Sequence, residues 1–268
     1  MMTGDINPAG KKEIDKALVA RCFAQARSTY EQEAAVQRQV AEKMMRLLSD
    51  AFKDYPNEAL PKHLVEIGCG TGSFSRLLAA RLQPATFLLN DLCPEMEECL
   101  TDLCRQPSTC FHAADAEEFP LPEDTELIAS CSTIQWFNHL PDFFTRCRNA
   151  LSNHGWLAFS TFGKRNIYQI RELTGNGLDY TDLENLKRML EPDFEVIHAE
   201  EEVCTLYFNS PLEVLKHLKQ TGVTGTGKKV WSRGRLQQFC ENYSRLFSNE
   251  QGKVSLTYHP IYLLAKKK

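Results

Sequence analysis

The sequence predicts an α/β fold: a mostly parallel seven-stranded sheet with helices on both faces. Three observations carry that expectation. From residue 63 onward, short apolar runs alternate with segments of helical period. A glycine-rich turn joins the first such run to the first such helix. After residue 163 the rhythm loosens, as though helices were inserted around the last strands.

The elements follow in order. Residues 11–53 are rich in Ala, Lys, Glu, Gln and Leu at helical spacing and read as two helices broken near "ARSTYEQ". Two prolines in "YPNEALP" close that region. "HLVEI" reads as a strand and "GSFSRLLAARL" as a helix; "ATFLLND" is a strand and "CPEMEECLTDLC" a helix. "STCFHAAD" and "ELIASCSTI" are strands, "LPDFFTRCRNAL" a helix and "GWLAFSTF" a strand. Four or five such β-then-α units imply parallel pairing with right-handed crossovers. Beyond them, "RNIYQIREL", "DLENLKRMLEP", "SPLEVLKHLKQT" and "RGRLQQFCENYSRLF" read as helices. "FEVIHAEEEVCTLYF" reads as one long strand, and "KVSLTYHPIYLLAKK" as a last strand whose Pro suggests an edge or a bulge.

Composition narrows the function. The 268 residues carry a net charge of −4, with 43% hydrophobic and 25% charged residues, so a general nucleic-acid binder is disfavoured. The N-terminal stretch lacks an apolar segment of signal-peptide type, and no run of about 18 apolar residues occurs, so the expectation is a cytoplasmic chain with no membrane partner. None of the ten cysteines forms a C-x-x-C pair and no His stands at zinc-finger spacing, so reduced thiols and no metal are expected.

The glycine turn is the chemical signal. Glycines let backbone N–H groups approach a ligand closely. A dinucleotide fingerprint would place its third glycine at position 73, which is Ser. The spacing is instead Glu66-x-Gly68-x-Gly70-x-Gly72, which resembles motif I of the class I S-adenosylmethionine-dependent methyltransferases, a Rossmann-like fold. That resemblance implies S-adenosylmethionine as cofactor. Asp91 closes the second strand, 19 residues after Gly72, where a carboxylate can accept both ribose hydroxyl protons, with Leu92 beside it. Asp115 follows the third strand and, with the backbone of Ala116, is expected at the adenine. Glu66 orders the loop or meets the ammonium, Cys69 contributes backbone, and Ser132 ends the fourth strand beside the cofactor. A second glycine stretch, "GVTGTGKK", nearly spells a phosphate-binding loop, but position 229 is Lys where a hydroxyl is needed, and a helix precedes it.

The acceptor side starts at "STIQWF", since ligands sit at the carboxyl ends of parallel strands. It holds no D-P-P-Y or N-P-P-Y. Gln135, Trp136 and Phe137 form either an apolar wall with one amide or the start of the next helix's core face. "CFAQARSTYEQEAAVQRQVAEKM", "LLNDLCPEM", "ADAEEFPLP", "TIQWFNHLPDFF", "GLDYTDLENLKRMLEPDFEVIHAEEE" and "SPLEVLKHLKQTGVTGT" together resemble the malonyl-[acyl-carrier-protein] O-methyltransferases of biotin synthesis, over residues 22 to 264. One departure is Gln25, where that family usually has Arg; an Arg stands at Arg27.

The resemblance implies methyl transfer to the free carboxylate of a malonyl thioester, on acyl carrier protein or coenzyme A. A carboxylate is already ionised at pH 7, so no base is required. Tyr30 either orients that carboxylate or packs on the sheet edge; Arg171, Lys164 and Arg165 are candidate cationic anchors, Arg171 foremost. The acidic carrier would dock on Lys216, Lys219, Lys228, Lys229, Arg233 and Arg235, unless these simply solvate a helix face. One domain is expected: a helical lid at 11–55, a cofactor core at 62–163, a strand with helical insertions for substrate and carrier at 164–247, and a final strand at 253–265. The alternatives are methylation of another carboxylate or of an activated carbon, as in quinone synthesis, or a non-catalytic cofactor-binding subunit.

Overall fold

The structure, a computed structural model, describes residues 13–223 and 232–268. Two helices come first, α1 (Lys16–Glu33) and α2 (Ala35–Ala51). The Asp15 side chain caps α1 by accepting from the Leu18 N–H. The break falls at Ala34 rather than within 26–32. Ala34 is buried and its N–H still bonds Tyr30 O at 2.8 Å, so packing, with no Gly or Pro to mark it, sets the bend.

The core then alternates as expected: β1 (His63–Ile67), α3 (Ser73–Leu82), β2 (Thr86–Asp91), a 3₁₀ turn at Pro94–Leu100 running into α4 (Thr101–Cys104), β3 (Thr109–Ala113), β4 (Thr125–Cys131), a 3₁₀ turn at Ile134–Trp136, α5 (Leu140–Ala150) and β5 (Leu151–Phe162). The remaining elements are α6 (Tyr168–Thr174), α7 (Leu183–Leu190), β6 (Phe194–Glu201), β7 (Cys204–Phe208), α8 (Pro211–Gln220), α9 (Arg233–Phe247), β8 (Val254–Tyr258) and β9 (Pro260–Lys267).

Seven strands make one sheet in the order β3-β2-β1-β4-β5-β9-β6. The pairs from β3 through β5 are parallel, and β9 runs antiparallel between β5 and β6. Chain order reverses at β1 and β4, so the crevice beyond their carboxyl ends is where this topology holds ligands. One core cluster packs α2 residues such as Met44 on the large sheet and continues through Leu218 and Phe239 of α8 and α9, which pack on β7 and β8; the other packs Phe143, Phe144, Leu186 and Leu190 of α5 and α7.

Two expected strands are each divided. "FEVIHAEEEVCTLYF" breaks at Glu202–Val203: β6 pairs with β9 in the large sheet, whereas β7 pairs with β8 in a separate two-stranded sheet. The last strand breaks at His259, and Pro260 opens β9 in the sheet's interior, not at an edge. A proline at the first residue of a strand loses no necessary ladder bond. Alternation cannot reveal such a hand-over, because both halves keep period two.

All ten cysteines are unbonded to one another. Among the described residues no helix is long and apolar enough to cross a membrane.

Met44 is fully buried on the face of α2 that meets the sheet, along with Val40, Ala41 and Leu48. Met44→Ala should cost about 2–5 kcal/mol, read as a lower midpoint in guanidinium unfolding at an unchanged slope.

Candidate active site

A two-lobed cleft opens beyond the carboxyl ends of β1, β2 and β4, beneath α1. Counting space open to solvent, one lobe spans about 740 Å³ and the other about 470 Å³. Both are lined by Tyr30, Gly68, Gly70, Thr71, Cys131 and Ser132, so they meet where α1 faces the glycine turn and the end of β4.

The turn is held by its own backbone. Gly68 and Cys69 N–H both bond Asn90 O, at 2.8 and 3.0 Å, and Gly70 N–H bonds Asp91 Oδ2 at 2.8 Å. All three glycines have positive φ. A Cβ on Gly68 would lie 2.2 Å from Thr133 Oγ1, and one on Gly72 would lie 2.6 Å from Leu100 Cδ2. A Cβ on Gly70 would meet nothing within 4 Å; that open side faces the cleft. Arg76 braces the turn, donating to Thr71 O and Cys99 O at 2.8 Å while forking onto Asp102.

The carboxylates are set by depth. Asp91 Oδ1 accepts the Cys93 N–H at 2.8 Å, so both its oxygens are anchored to backbone while lone pairs remain for a ligand. Burial raises its pKa, against the pull of the Cys93 and Gly70 donors. Glu66 is 1% exposed, and burial chiefly, with the charge of Asp91 adding, pushes its carboxyl to about 8. Among the described residues, four buried polar atoms on the smaller lobe lack a partner: Glu66 Oε2, Gln37 Oε1, Thr71 Oγ1 and Ser132 Oγ. Each such atom costs about 1–3 kcal/mol when left unpaired. Two acceptors and two hydroxyls, with Arg38 at the lobe's side, suit the ammonium and carboxylate of an amino-acid moiety.

The larger lobe ends at Asp115 and Ala116. Arg146 fastens their turn by donating to the carbonyls of Ala116, Glu117 and Phe119. Helix α1 closes over this end through Lys16 Nζ, 3.0 Å from Asp115 and 2.6 Å from Glu117. At its other end Arg27 reaches Glu95 O and Glu98 Oε2, both at 2.7 Å. Between these clamps Val19 and Phe23 line the cleft, and Tyr30 does so just beyond Arg27.

At the end of β4, Tyr30, Cys131 and Ser132 border the junction of the lobes, and Trp136 lines the larger one. Burial raises the Tyr30 hydroxyl above its ordinary value and lifts the Cys131 thiol to about 12, so both stay protonated at neutral pH. Ser132 has φ +57°, a strained setting for a non-glycine residue, held by its N–H on Ser160 O and Oγ, each at 3.1 Å. No histidine lines either lobe.

Of the sequence-derived residues, Tyr30, Glu66, Gly68, Cys69, Gly70, Asp91, Leu92, Asp115, Ala116 and Ser132 line the cleft. Gly72 acts one step back, as the N-cap of α3. Trp136 lines the cleft; Phe137 does so too while packing edge-to-face on Phe143 of α5 at 4.8 Å. Gln135 is turned away, donating to Ser132 O at 2.5 Å and accepting from Thr161 Oγ1 at 3.2 Å.

Of the expected cationic anchors, Arg171, Lys164 and Arg165 line neither lobe. Arg171 donates to Lys164 O at 2.5 Å, and Lys164 pairs with Asp182. The cause is the segment after β5, which Gly163, Ile167 and Gln169 stitch to residues 257–259; Asn166 and Ile167 turn inward, leaving Lys164 and Arg165 exposed. Missed by sequence reasoning were Lys16, Val19, Gln37, Arg38 and Thr71. The Lys16–Asp115 pair spans 99 residues, and no local pattern announces it.

A methyltransferase-domain family model matches residues 65–159. The chain is 53% identical to a malonyl-[acyl-carrier protein] O-methyltransferase of Bacteroides helcogenes, over 95% of this chain and 100% of that one. It is 48% identical to the enzyme of that name from Bacteroides thetaiotaomicron, over 95% and 99%. The crystal structure of the YcgJ protein from Bacillus subtilis superposes with a TM-score of 0.59 at 14% identity, covering 85% of this chain and 99% of that one, a likeness of fold.

The raised Glu66 carboxyl has a consequence for stability. Its folded pKa of about 8 exceeds the ordinary value of 4.5, so its favourable contribution is complete below about 4.5 and is lost as pH rises through about 8. Without ligand, the melting temperature of the wild type should fall several degrees more between pH 6 and 8.5 than that of Glu66→Gln, by differential scanning calorimetry.

Proposed function

The chain belongs to the malonyl-[acyl-carrier protein] O-methyltransferase family, and on that premise we propose how its cleft performs the family's reaction. It is an S-adenosylmethionine-dependent methyltransferase of class I fold. It transfers a methyl group to the free carboxylate of a malonyl thioester on acyl carrier protein, giving the methyl ester that primes pimeloyl synthesis for biotin. S-adenosylmethionine supplies an electrophilic methyl carbon on a sulfonium.

The observation that carries the mechanism is the state of the acceptor end. Tyr30 and Cys131 are held protonated there and no histidine lines the cleft. A hydroxyl or carbon acceptor would need a base; a carboxylate arrives ionised. The residues then divide the work. Asp115 and the Ala116 backbone take the adenine, Asp91 and Leu92 the ribose, Glu66 the ammonium, and Gly68, Cys69, Gly70 and Ser132 shape the wall between. Tyr30 donates from α1 to the incoming carboxylate, and Phe23 and Trp136 exclude water, which would otherwise stabilise the separated charges. Residues 11–55 serve as the lid and 164–247 as the acceptor half.

For the carrier, Leu212, Lys216 and Lys219 share the exposed face of α8, and Arg233 and Arg235 are exposed on α9. Lys228 and Lys229 lie outside the described residues. The far end of α8 touches the lid: Thr29 Oγ1 donates to Gln220 O at 3.0 Å, and Gly222 packs against the Phe23 ring. We place the acidic carrier on this basic face, next to where α8 meets the lid. Malonyl-CoA, lacking the protein, would serve as a weaker substrate.

Two outcomes test this reading. With saturating cofactor, kcat on malonyl-acyl carrier protein should be constant within about twofold from pH 6.5 to 8.5; a tenfold rise per pH unit would mean that the acceptor must first lose a proton. Charge reversal at Lys216, Lys219 and Arg233 should raise KM about tenfold for the carrier-linked substrate and spare malonyl-CoA, whereas equal effects would remove docking from this face.

A further inference from the structure

We propose that the indole N–H of Trp136 is the donor that holds the malonyl carboxylate, in a cleft where uncharged groups and not a cation recognise it. The inference rests on the function just described and names the specificity-determining residue within it. Trp136 is 6% exposed, and its Nε1 has no hydrogen-bond partner. A buried indole N–H usually finds one, and leaving it unpaired costs about 1–3 kcal/mol. A phenyl ring would fill the same wall without that loss. The N–H is therefore suited to a partner that comes and goes.

Its surroundings point to the acceptor. The indole lines the larger lobe and meets Phe23 edge-to-face at 5.6 Å and 89°, and Phe23 meets Tyr30 at 6.3 Å. Trp136 thus stands opposite the middle of α1, with the Phe23 ring touching both it and Tyr30. The loop beneath it is rigid: Trp136 N–H bonds Thr133 O at 3.0 Å, and Gln135 is pinned between Ser132 O and Thr161. A donor on such a loop is positioned before the ligand arrives. The adenine, ribose and amino-acid ends of the cofactor already have matching groups in Asp115, Asp91 and Glu66, so the anion left to match this N–H is the substrate's.

The cations of the described residues do not compete for that role. Lys16 is engaged at the adenine end by Asp115 and Glu117, and Arg38 lines the other lobe. Lys164, Arg165 and Arg171 lie outside both lobes. A neutral N–H to a carboxylate is a charge-assisted bond, stronger than a bond to an ester oxygen. Such a donor therefore distinguishes substrate from product by the charge that the reaction removes.

The test compares the two. With S-adenosylhomocysteine present, titration calorimetry measures the affinities of malonyl-CoA and of its methyl ester for wild type and for Trp136→Phe. The substitution should reduce the preference for the free acid about tenfold. Equal weakening of both thioesters, or an unchanged affinity for malonyl-CoA, would overturn the inference and assign Trp136 to packing alone. Should the Phe variant not fold, replacing Trp136 with 3-benzothienylalanine, isosteric but lacking the N–H, provides the same comparison. A wild type that fails to methylate any malonyl thioester would instead strike the functional reading itself.

Discussion

The stitching of the glycine turn to the end of β2 is the constraint on which the site depends. Three consecutive N–H groups, from Gly68, Cys69 and Gly70, are spent on Asn90 O and Asp91 Oδ2. That bonding forces positive φ along the turn and brings Gly68 against Thr133 of the β4 loop. The ends of β1, β2 and β4 are thereby locked to one another, and the cleft they floor is preformed. Asp91 serves this scaffold through both its oxygens, buried and anchored by the backbone donors of Gly70 and Cys93.

The roof is assembled differently. Helix α1 touches the floor through ion pairs at its two ends, Lys16 with Asp115 and Glu117, and Arg27 with Glu98. These contacts are partly exposed and individually modest. Apolar cover between them comes from Val19 and Phe23. A roof held by surface charges over an apolar middle can be displaced at far lower cost than the sheet, as suits a site that must admit a cofactor. Arg27 clamps the helix onto the 94–100 turn through Glu95 O and Glu98.

Much of this was legible. Strand and helix alternation, the glycine spacing and the two strand-end aspartates are local features, because a parallel β-α unit writes its period and its turn chemistry into contiguous residues. The acidic positions at 91 and 115 fall at strand ends for the same reason. The divided strands, the bend at Ala34 and the Lys16 clamp were not legible. Each is decided by a partner distant in sequence: β9 and β8 select which half of 194–208 they pair with, and Asp115 selects Lys16 across 99 residues.

The basic residues after β5 show the limit most clearly. Sequence order put Lys164, Arg165 and Arg171 just past a strand that ends near the site, and proximity along the chain suggested an anchor. Hydrogen bonds from Gly163, Ile167 and Gln169 to residues 257–259 turn that segment outward. By itself the sequence determined the fold class, the cofactor and the family, since these rest on motifs contiguous in the chain. Only tertiary structure decided which side chains face the acceptor, because that depends on how non-adjacent segments share the same backbone donors and acceptors.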